Sequence, residues 1–388
     1  MNDEIPFLMR TYAPPTIGFV RGRGAYLFDR RGRRYLDFIA GLGVNTLGHS
    51  PPALVRAIAR QAERLIHASN LYRIDSQVRL ARLLCRESFA DRAFFCNSGA
   101  EAIDTIVKIA RLHAHRRGER RQRIVCFEGA FHGRTCGATS ATHRKTAREG
   151  FGPLVPGVTF ARFNDLESAA AHIDERTCLV LVEPIQGEGG VVPASRAFLA
   201  GLRRLCNRRG TLLAFDEVQC GLGRTGARFA YERYGVEPDL LALAKGLAGG
   251  LPMGAVLARE PAASALTPGT HGSTFGGNPL SCAAALVVCR RVLHPRFLGR
   301  VRRVAELLAA QLHERLGRLP SVRDIRAVGL MVGIETEGPA AVFVDRCRRR
   351  GLLVNATADT VVRLLPPLVV TESQCRRAAR ILEIALGQ

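Results

Sequence analysis

Short apolar runs alternate with amphipathic stretches through the middle of the chain. Ala93–Cys96, Ile124–Phe127, Cys178–Val182, Leu212–Asp216, Leu240–Ala244 and Gly254–Ala258 are runs of four or five residues, mostly apolar. Such runs predict strands buried on both faces. Ala100–Arg116 and Ser195–Arg209 instead place apolar residues three and four apart, the spacing of one helix face. Strands alternating with helices predict an α/β fold with a mostly parallel central sheet flanked by helices. The two ends read differently. Gly22-x-Gly24-x-Tyr26-Leu-Phe-Asp29 to Tyr35-Leu-Asp-Phe38 predicts a small antiparallel hairpin. From about Leu280 a long amphipathic helical region leads to alternating runs at Gly329–Glu335 and Val361–Leu365. We therefore expect a large domain over 49–278, with 1–48 and 279–388 forming a smaller α+β domain from both chain ends. No internal repeat or low-complexity segment is visible.

With 388 residues, of which 47% are hydrophobic, the chain can bury more than one core. No stretch of about twenty apolar residues lacks charge, so no membrane span is expected. The start, Met1-Asn-Asp-Glu-Ile-Pro6, is acidic and lacks the basic, then apolar, pattern of a signal peptide. The eleven cysteines are odd in number, scattered, and form no Cys-x-x-Cys pair; several sit inside apolar runs. That pattern suits small buried hydrophobes in a reducing cytoplasm. The net charge of +22 raises the question of nucleic acid. The arginines are spread along the whole length, however, and only 6% of residues are aromatic. The densest cluster, His115–Arg123, reads as a solvated helix end, and no nucleic-acid-binding motif is present. Neither a nucleic-acid nor a membrane partner is expected. A positive field that draws in small dicarboxylates fits better, although an Arg-for-Lys bias would produce the same composition without any function.

That bias makes one residue conspicuous. Only Lys108, Lys145 and Lys245 stand against 53 arginines, and Lys245 closes the apolar run Leu240-Leu-Ala-Leu-Ala before Gly246. Arginine can carry charge there but cannot lose a proton and attack a carbonyl. A lysine desolvated at a strand end can form a Schiff base; a chance surface lysine is the plain alternative. Leu212-Leu-Ala-Phe-Asp216-Glu217 ends a second apolar run in two carboxylates. Ligands bind at the carboxyl ends of parallel strands, so Asp216 and Lys245 can share one crevice. Lysine and aspartate together suggest pyridoxal phosphate, with the aspartate keeping the pyridine nitrogen protonated. The acidic pair could also hold a metal for nucleotide hydrolysis, but no Gly-x-x-x-x-Gly-Lys-Ser/Thr loop accompanies it, and no metal is expected.

Other segments join this set. Cys96-Asn-Ser98-Gly99-Ala100-Glu101 leads a strand into a helix, offering N–H groups to a phosphate or simply a capping serine. Phe131-His132-Gly-Arg134 offers an aromatic face beside a cation. Glu183-Pro-Ile-Gln-Gly-Glu188-Gly-Gly190 and His271-Gly-Ser273-Thr274-Phe-Gly-Gly-Asn278 are glycine-rich loops, one with an acid able to reach a pocket, one with adjacent hydroxyls. Arg363 lies in a strand-like run and needs a carboxylate from the protein or a ligand. Gly221-Leu-Gly-Arg-Thr-Gly226 matches a dinucleotide fingerprint only in its letters. Asp-Glu-Val-Gln intervenes after the strand and no good helix pattern follows. It reads as a loop beside a pocket.

Taken together, these segments resemble the class III (ω-amino acid) aminotransferases, pyridoxal-phosphate-dependent transferases of fold type I, and within them the branch that uses acetylornithine. The likeness runs from Tyr12-Ala-Pro and Gly48-His49 to Val362-Arg-Leu-Leu-Pro-Pro367, and its most specific pieces are Phe94–Ala102, Val182–Ser195, Phe215–Gln219, Ala244-Lys245 and Thr270–Pro279. The resemblance implies that Lys245 forms the Schiff base with the cofactor and moves the substrate proton. It implies that Asp216 pairs with the pyridinium nitrogen, that Val218 and Phe131 sandwich the ring, and that Gln219 lies near the ring hydroxyl. His132 and Glu217 join the cofactor-binding set. Ser98, Gly99 and Ala100 would hold the phosphate, with Thr274 from the neighbouring subunit of a homodimer. Arg134 would hold the far carboxylate of either substrate, with Ser273 and Tyr12 nearby. Glu188 and Arg363 would form a switch, closed for the terminal amine of N-acetylornithine and open for the α-carboxylate of 2-oxoglutarate, the acceptor that becomes glutamate.

The chain departs from the family pattern at Ile103-Asp104, where Asn-Glu is common, and at Ser50; neither touches a proposed catalytic group. Leu42 stands where ornithine aminotransferases carry a tyrosine that seats a free α-amine, which favours an acylated donor. Succinylornithine, N-succinyl-diaminopimelate, ornithine and 4-aminobutyrate remain alternative donors. An aminomutase is disfavoured by the retained Glu188 and Arg363, and a non-enzymatic basic binding protein by Lys245 and Asp216.

Overall fold

The computed structural model describes residues 7–13 and 17–388. The acidic start Met1–Pro6 and the Pro14 of the Tyr12-Ala-Pro segment lie outside the described residues. A seven-stranded sheet forms the centre. In chain order its strands are β1 (Arg92–Cys96), β2 (Arg123–Phe127), β3 (Val158–Ala161), β4 (Thr177–Val182), β5 (Leu212–Asp216), β6 (Leu240–Leu243) and β7 (Gly254–Ala258). Their spatial order is β1-β7-β6-β5-β4-β2-β3. The pairings among β2 to β6 are parallel, and β7 runs antiparallel to both its neighbours.

The register explains the run-like strand sequences. Leu213 faces Val180, Ala214 faces Leu240, and Leu243 faces Ala255. Every residue of β4, β6 and β7 is buried, because helices cover the sheet on both faces. Each buried Leu or Val there contributes about 1.5–3 kcal/mol relative to exposure. Helix Gly99–Arg116 packs over β4, β5, β6 and β7, and helix Arg196–Arg209 over β5. Both begin at a serine: Ser98 Oγ accepts from Glu101 N and Ser195 Oγ from Phe198 N, which satisfies one free N–H of each first turn.

Two elements differ from expectation. β3 is an unforeseen edge strand of only four residues, Val-Thr-Phe-Ala, too short and mixed to stand out. The run Leu240–Ala244 ends a residue early, because Ala244 and Lys245 leave extended geometry and Lys245 takes a positive φ of 34°.

The two chain ends meet in space. Strands Phe19–Arg23, Tyr26–Asp29 and Arg34–Asp37 form the expected antiparallel ribbon, and Leu352–Leu353 adds to it in parallel. A second sheet orders Val322–Val328, Met331–Thr336, Val361–Leu364 and Asn355–Thr357. Helices Pro295–Leu316 and Glu372–Leu386 pack against each other, and Pro295–Leu316 also meets the Val322–Val328 strand. The helical region after Leu280 is in fact two helices, Pro279–Val292 and Pro295–Leu316, divided before Pro295. Proline starts the second helix readily because its missing N–H costs nothing there. Among the described residues, no helix is long and apolar enough to cross a membrane.

Candidate active site

A cavity of about 350 Å³ opens where the parallel strands end, the usual ligand position in such sheets. Asn97–Ala100 follow β1, Glu183 and Glu188 follow β4, Asp216, Val218 and Gln219 close β5, and Ala244 and Lys245 follow β6. Phe131 and His132 come from the loop after β2. Residues far apart in sequence meet here because every β-strand of this set delivers its carboxyl end to the same edge.

Lys245 lines this cavity on a strained backbone, a cost characteristic of functional positions. Burial lowers its pKa; Glu188 pulls the other way and Arg363 adds to the lowering. The amine thus loses its proton more readily than a surface lysine. Asp216 Oδ2 lies 2.8 Å from His132 Nδ1, and its Oδ1 accepts Val218 N at 3.0 Å. His132 is held in turn by Thr142 Oγ1 on its backbone N–H, and its Nε2 is buried without a partner among the described residues. Asp216 is therefore held in a fixed orientation and is itself nearly closed to water.

At the start of helix Gly99–Arg116, Ser98 is the cap, with its hydroxyl 3.2 Å from Glu101 N. Among the described residues the N–H groups of Gly99 and Ala100 have no acceptor, and both residues line the cavity. The capping and anion-binding readings thus coexist. A Cβ on Gly99 would lie 2.9 Å from Val218 Cγ1, so glycine is required for the two walls to approach.

Arg363 meets the carboxylate it needed. Its Nη1 lies 2.6 Å from Glu188 Oε1, 2.9 Å from Gly187 O and 3.1 Å from Gln219 Oε1. Burial alone would raise the Glu188 carboxyl, but the charge and hydrogen bond of Arg363 hold it below the ordinary glutamate value. Thr357 Oγ1 donates to Glu188 O at 2.7 Å and anchors the loop.

Glu183 was not singled out from the sequence, and it is part of this site. It accepts Phe131 N at 2.9 Å and Gly187 N at 3.1 Å, joining one cavity wall to the Glu188 loop. Burial pushes it up to about 7. An acid closing the apolar β4, as Asp216 closes β5, was the available signal. Val44, from the amino-terminal segment, was likewise unforeseen.

Several expected residues lie elsewhere. Glu217 turns away from the cavity: its carboxylate accepts the N–H groups of Ala230 at 2.5 Å and Tyr231 at 2.7 Å. It serves that loop. Ser273 and Thr274 line a separate groove of about 1430 Å³ with His271 and Phe275; only Asn97, whose Nδ2 lies 3.3 Å from Ser273 Oγ, borders both. Arg134 is exposed, with its guanidinium 5.3 Å from the Phe131 ring centre. Tyr12 is also exposed and does not line the cavity. Among the described residues, no group of three or more His, Cys, Asp or Glu could hold a metal.

Known proteins carry the same arrangement of sequence and fold. The family described as "Aminotransferase class-III" matches residues 8–386. Acetylornithine aminotransferase 1 of Bradyrhizobium diazoefficiens is 47% identical over 386 residues, covering 99% of this chain and 95% of that protein. Acetylornithine aminotransferase of Aquifex aeolicus is 44% identical, covering 97% of this chain and 98% of that one. Among solved structures, the ornithine aminotransferase of Toxoplasma gondii, with pyridoxal phosphate partly occupying its active site, superposes with a TM-score of 0.94. It is 32% identical, covering 98% of this chain and 92% of that one. N-acetylornithine aminotransferase of Stenotrophomonas maltophilia gives 0.83 at 34% identity, covering 96% of each. With the family match spanning nearly the whole chain and these relatives aligned end to end, the chain belongs to the class III aminotransferases.

Proposed function

We propose that this enzyme moves the terminal amine of N-acetylornithine to 2-oxoglutarate, giving N-acetylglutamate 5-semialdehyde and glutamate, as a step of arginine biosynthesis. The observation that carries this reading is the Glu188–Arg363 pair, whose glutamate lines the cavity of Lys245 and Asp216 with the arginine buried against it. A donor reacting through a terminal amine brings no carboxylate to that end, whereas 2-oxoglutarate does. A guanidinium that is neutralised in one state and free in the other serves both.

Pyridoxal 5′-phosphate is the cofactor this site fits. The free N–H groups of Gly99 and Ala100 at a helix start suit its phosphate, and the fixed Asp216 carboxylate suits its pyridinium nitrogen. Val218 and Phe131 stand ready to flank the ring. When bound, the cofactor supplies an electron sink for the carbanion left when the substrate loses a proton. Lys245, with its lowered pKa, holds the cofactor covalently and carries the proton across. His132 orients Asp216, Glu183 holds the Phe131 backbone, and Arg134 takes the remote carboxylate of either substrate.

The active unit in this reading is a homodimer in which Thr274, Ser273 and Tyr12 complete the partner's site. Support comes from their position outside the chain's own cavity and from exposed Phe275, Leu71 and Tyr72. Eleven free thiols, most of them buried, support a reducing cytoplasm.

The test begins with the visible spectrum of purified protein. N-acetylornithine alone should discharge the cofactor band, and 2-oxoglutarate should restore it. Discharge only by free ornithine or 4-aminobutyrate would replace the donor. The absence of any band after the cofactor is supplied would remove the reading. Sedimentation should give a dimer; a fully active monomer would refute the shared site.

A further inference from the structure

Arg224, in the Gly221–Gly226 loop, is fully buried although it does not line the cavity. Among the described residues no carboxylate pairs with it. Nη1 donates to the carbonyls of Leu330 at 3.1 Å and Pro366 at 2.5 Å, and Nη2 has no partner among the described residues. Burial without a counter-ion lowers its pKa to about 9. An apolar side chain would avoid that desolvation cost, so the two carbonyl contacts need a reason.

Their position supplies one. Leu330 immediately precedes the Met331–Thr336 strand, and Pro366 lies two residues beyond the Val361–Leu364 strand. Those strands pair with each other, and Gly333 stands opposite Arg363. One nitrogen thus grips the roots of both. The backbones meet as well: Leu330 N donates to Arg224 O at 2.9 Å, and a Cβ on Gly329, where φ is 62°, would fall 2.5 Å from that same oxygen. On its other side the loop continues directly from Asp216–Gln219, with Gly221 N on Glu217 O at 3.0 Å. Arg224 therefore joins the β5 wall, which carries Gln219, to the strand that carries Arg363. These two side chains touch behind the cavity wall that Gln219 and Glu188 line.

We propose that Arg224 is a positioning residue that sets where Arg363 stands against Glu188 and Gln219 at the cavity wall, and through it the affinity for the dicarboxylate co-substrate. It does so without touching substrate or cofactor. The proposal rests on the reading of Arg363 as the carboxylate-binding half of the switch. Guanidinium suits the task because it reaches two diverging carbonyls from a rigid plane, and its charge strengthens both bonds. A lysine nitrogen in the place of Nη1 can serve the same carbonyls in part.

The experiment uses the holoenzyme with Arg224→Met, Arg224→Lys and Arg363→Gln. Three quantities are measured: the single-turnover rate with N-acetylornithine, the KM for 2-oxoglutarate, and the Kd of glutarate, an unreactive dicarboxylate. Arg224→Met should raise the last two about tenfold while the amine half-reaction stays within about twofold, the size of effect that a small misplacement of a binding group produces. Arg224→Lys should recover most of the loss. Equal decline of both half-reactions with unchanged glutarate binding would mean a general structural role and overturn the proposal. If the Met variant does not fold, Arg224→Gln is read by the same quantities. Unchanged glutarate binding in Arg363→Gln would overturn the reading of Arg363 itself. Weakened binding there, with Arg224→Met and Arg224→Gln silent, would overturn only the positioning role.

Discussion

Replacing Glu188 with Gln probes the switch most directly, because the change keeps the shape and one acceptor oxygen but removes the charge. The pair is close, 2.6 Å between Arg363 Nη1 and Glu188 Oε1, with the arginine 1% and the glutamate 30% exposed. A hydrogen bond to a charged group in such a setting has a net worth of about 1.5–3 kcal/mol. That is the cost of opening the pair before Arg363 can take a substrate carboxylate. Removing it should lower the KM for 2-oxoglutarate by about tenfold to a hundredfold, at 1.4 kcal/mol per decade. The same unshielded guanidinium then favours α-carboxylates in the first half-reaction. The ratio of kcat/KM for N-acetylornithine to that for glutamate should therefore fall by a similar factor. Lys245 supplies an independent signal. Burial is the main cause of its lowered pKa, and Glu188 opposes it while Arg363 reinforces it. Without the Glu188 charge, the midpoint of the visible cofactor band should move to lower pH. Rapid mixing with each amine alone, plus a pH titration of the band, measures all three. An unchanged ratio of the two amines, with an unmoved midpoint, would refute the switch.

Lys245→Arg should keep the charge and the fold yet abolish both the visible band and turnover, since arginine cannot lose its proton; measurable turnover would disprove the covalent role. Gly99→Ala should weaken cofactor affinity by about tenfold, because the new Cβ meets Val218 at 2.9 Å and must push the cavity walls apart. Equilibrium reconstitution of apoenzyme tests it, and unchanged affinity would rule it out. Burial raises Glu217 from 4.5 to about 8. Its contribution to stability is then complete below about pH 4.5 and is lost as the pH rises to about 8, at about 1.4 kcal/mol per pH unit while one proton is released. Urea unfolding of the wild type and Glu217→Gln across pH 5–9 should show a flatter dependence in the variant; parallel curves would contradict this account.

Much of the central domain was legible because its information is local. Buried parallel strands must be apolar runs, so β1, β2, β4, β5, β6 and β7 stood out, whereas the four-residue edge strand β3 did not. Lys245 was conspicuous because arginine had replaced lysine nearly everywhere else, and Asp216 because it ended an apolar strand. Their roles as candidates needed only chemistry and strand direction. That Arg363 required a carboxylate was also readable from its burial pattern, but the identity of that carboxylate was not. Glu188 lies 175 residues away, and only the stacking of the second sheet against the Glu183–Gly190 loop brings the two together. Glu183 and His132 became part of the site by the same long-range packing. Glu217, adjacent to Asp216 in sequence, turns away where the strand ends and is held by two backbone N–H groups of the Ala230–Tyr231 segment. Sequence by itself thus determined the fold class and which residues were chemically able to act. Tertiary structure alone decided which of them face one cavity, because a side chain's neighbours and its desolvation depend on contacts between segments that no local pattern encodes.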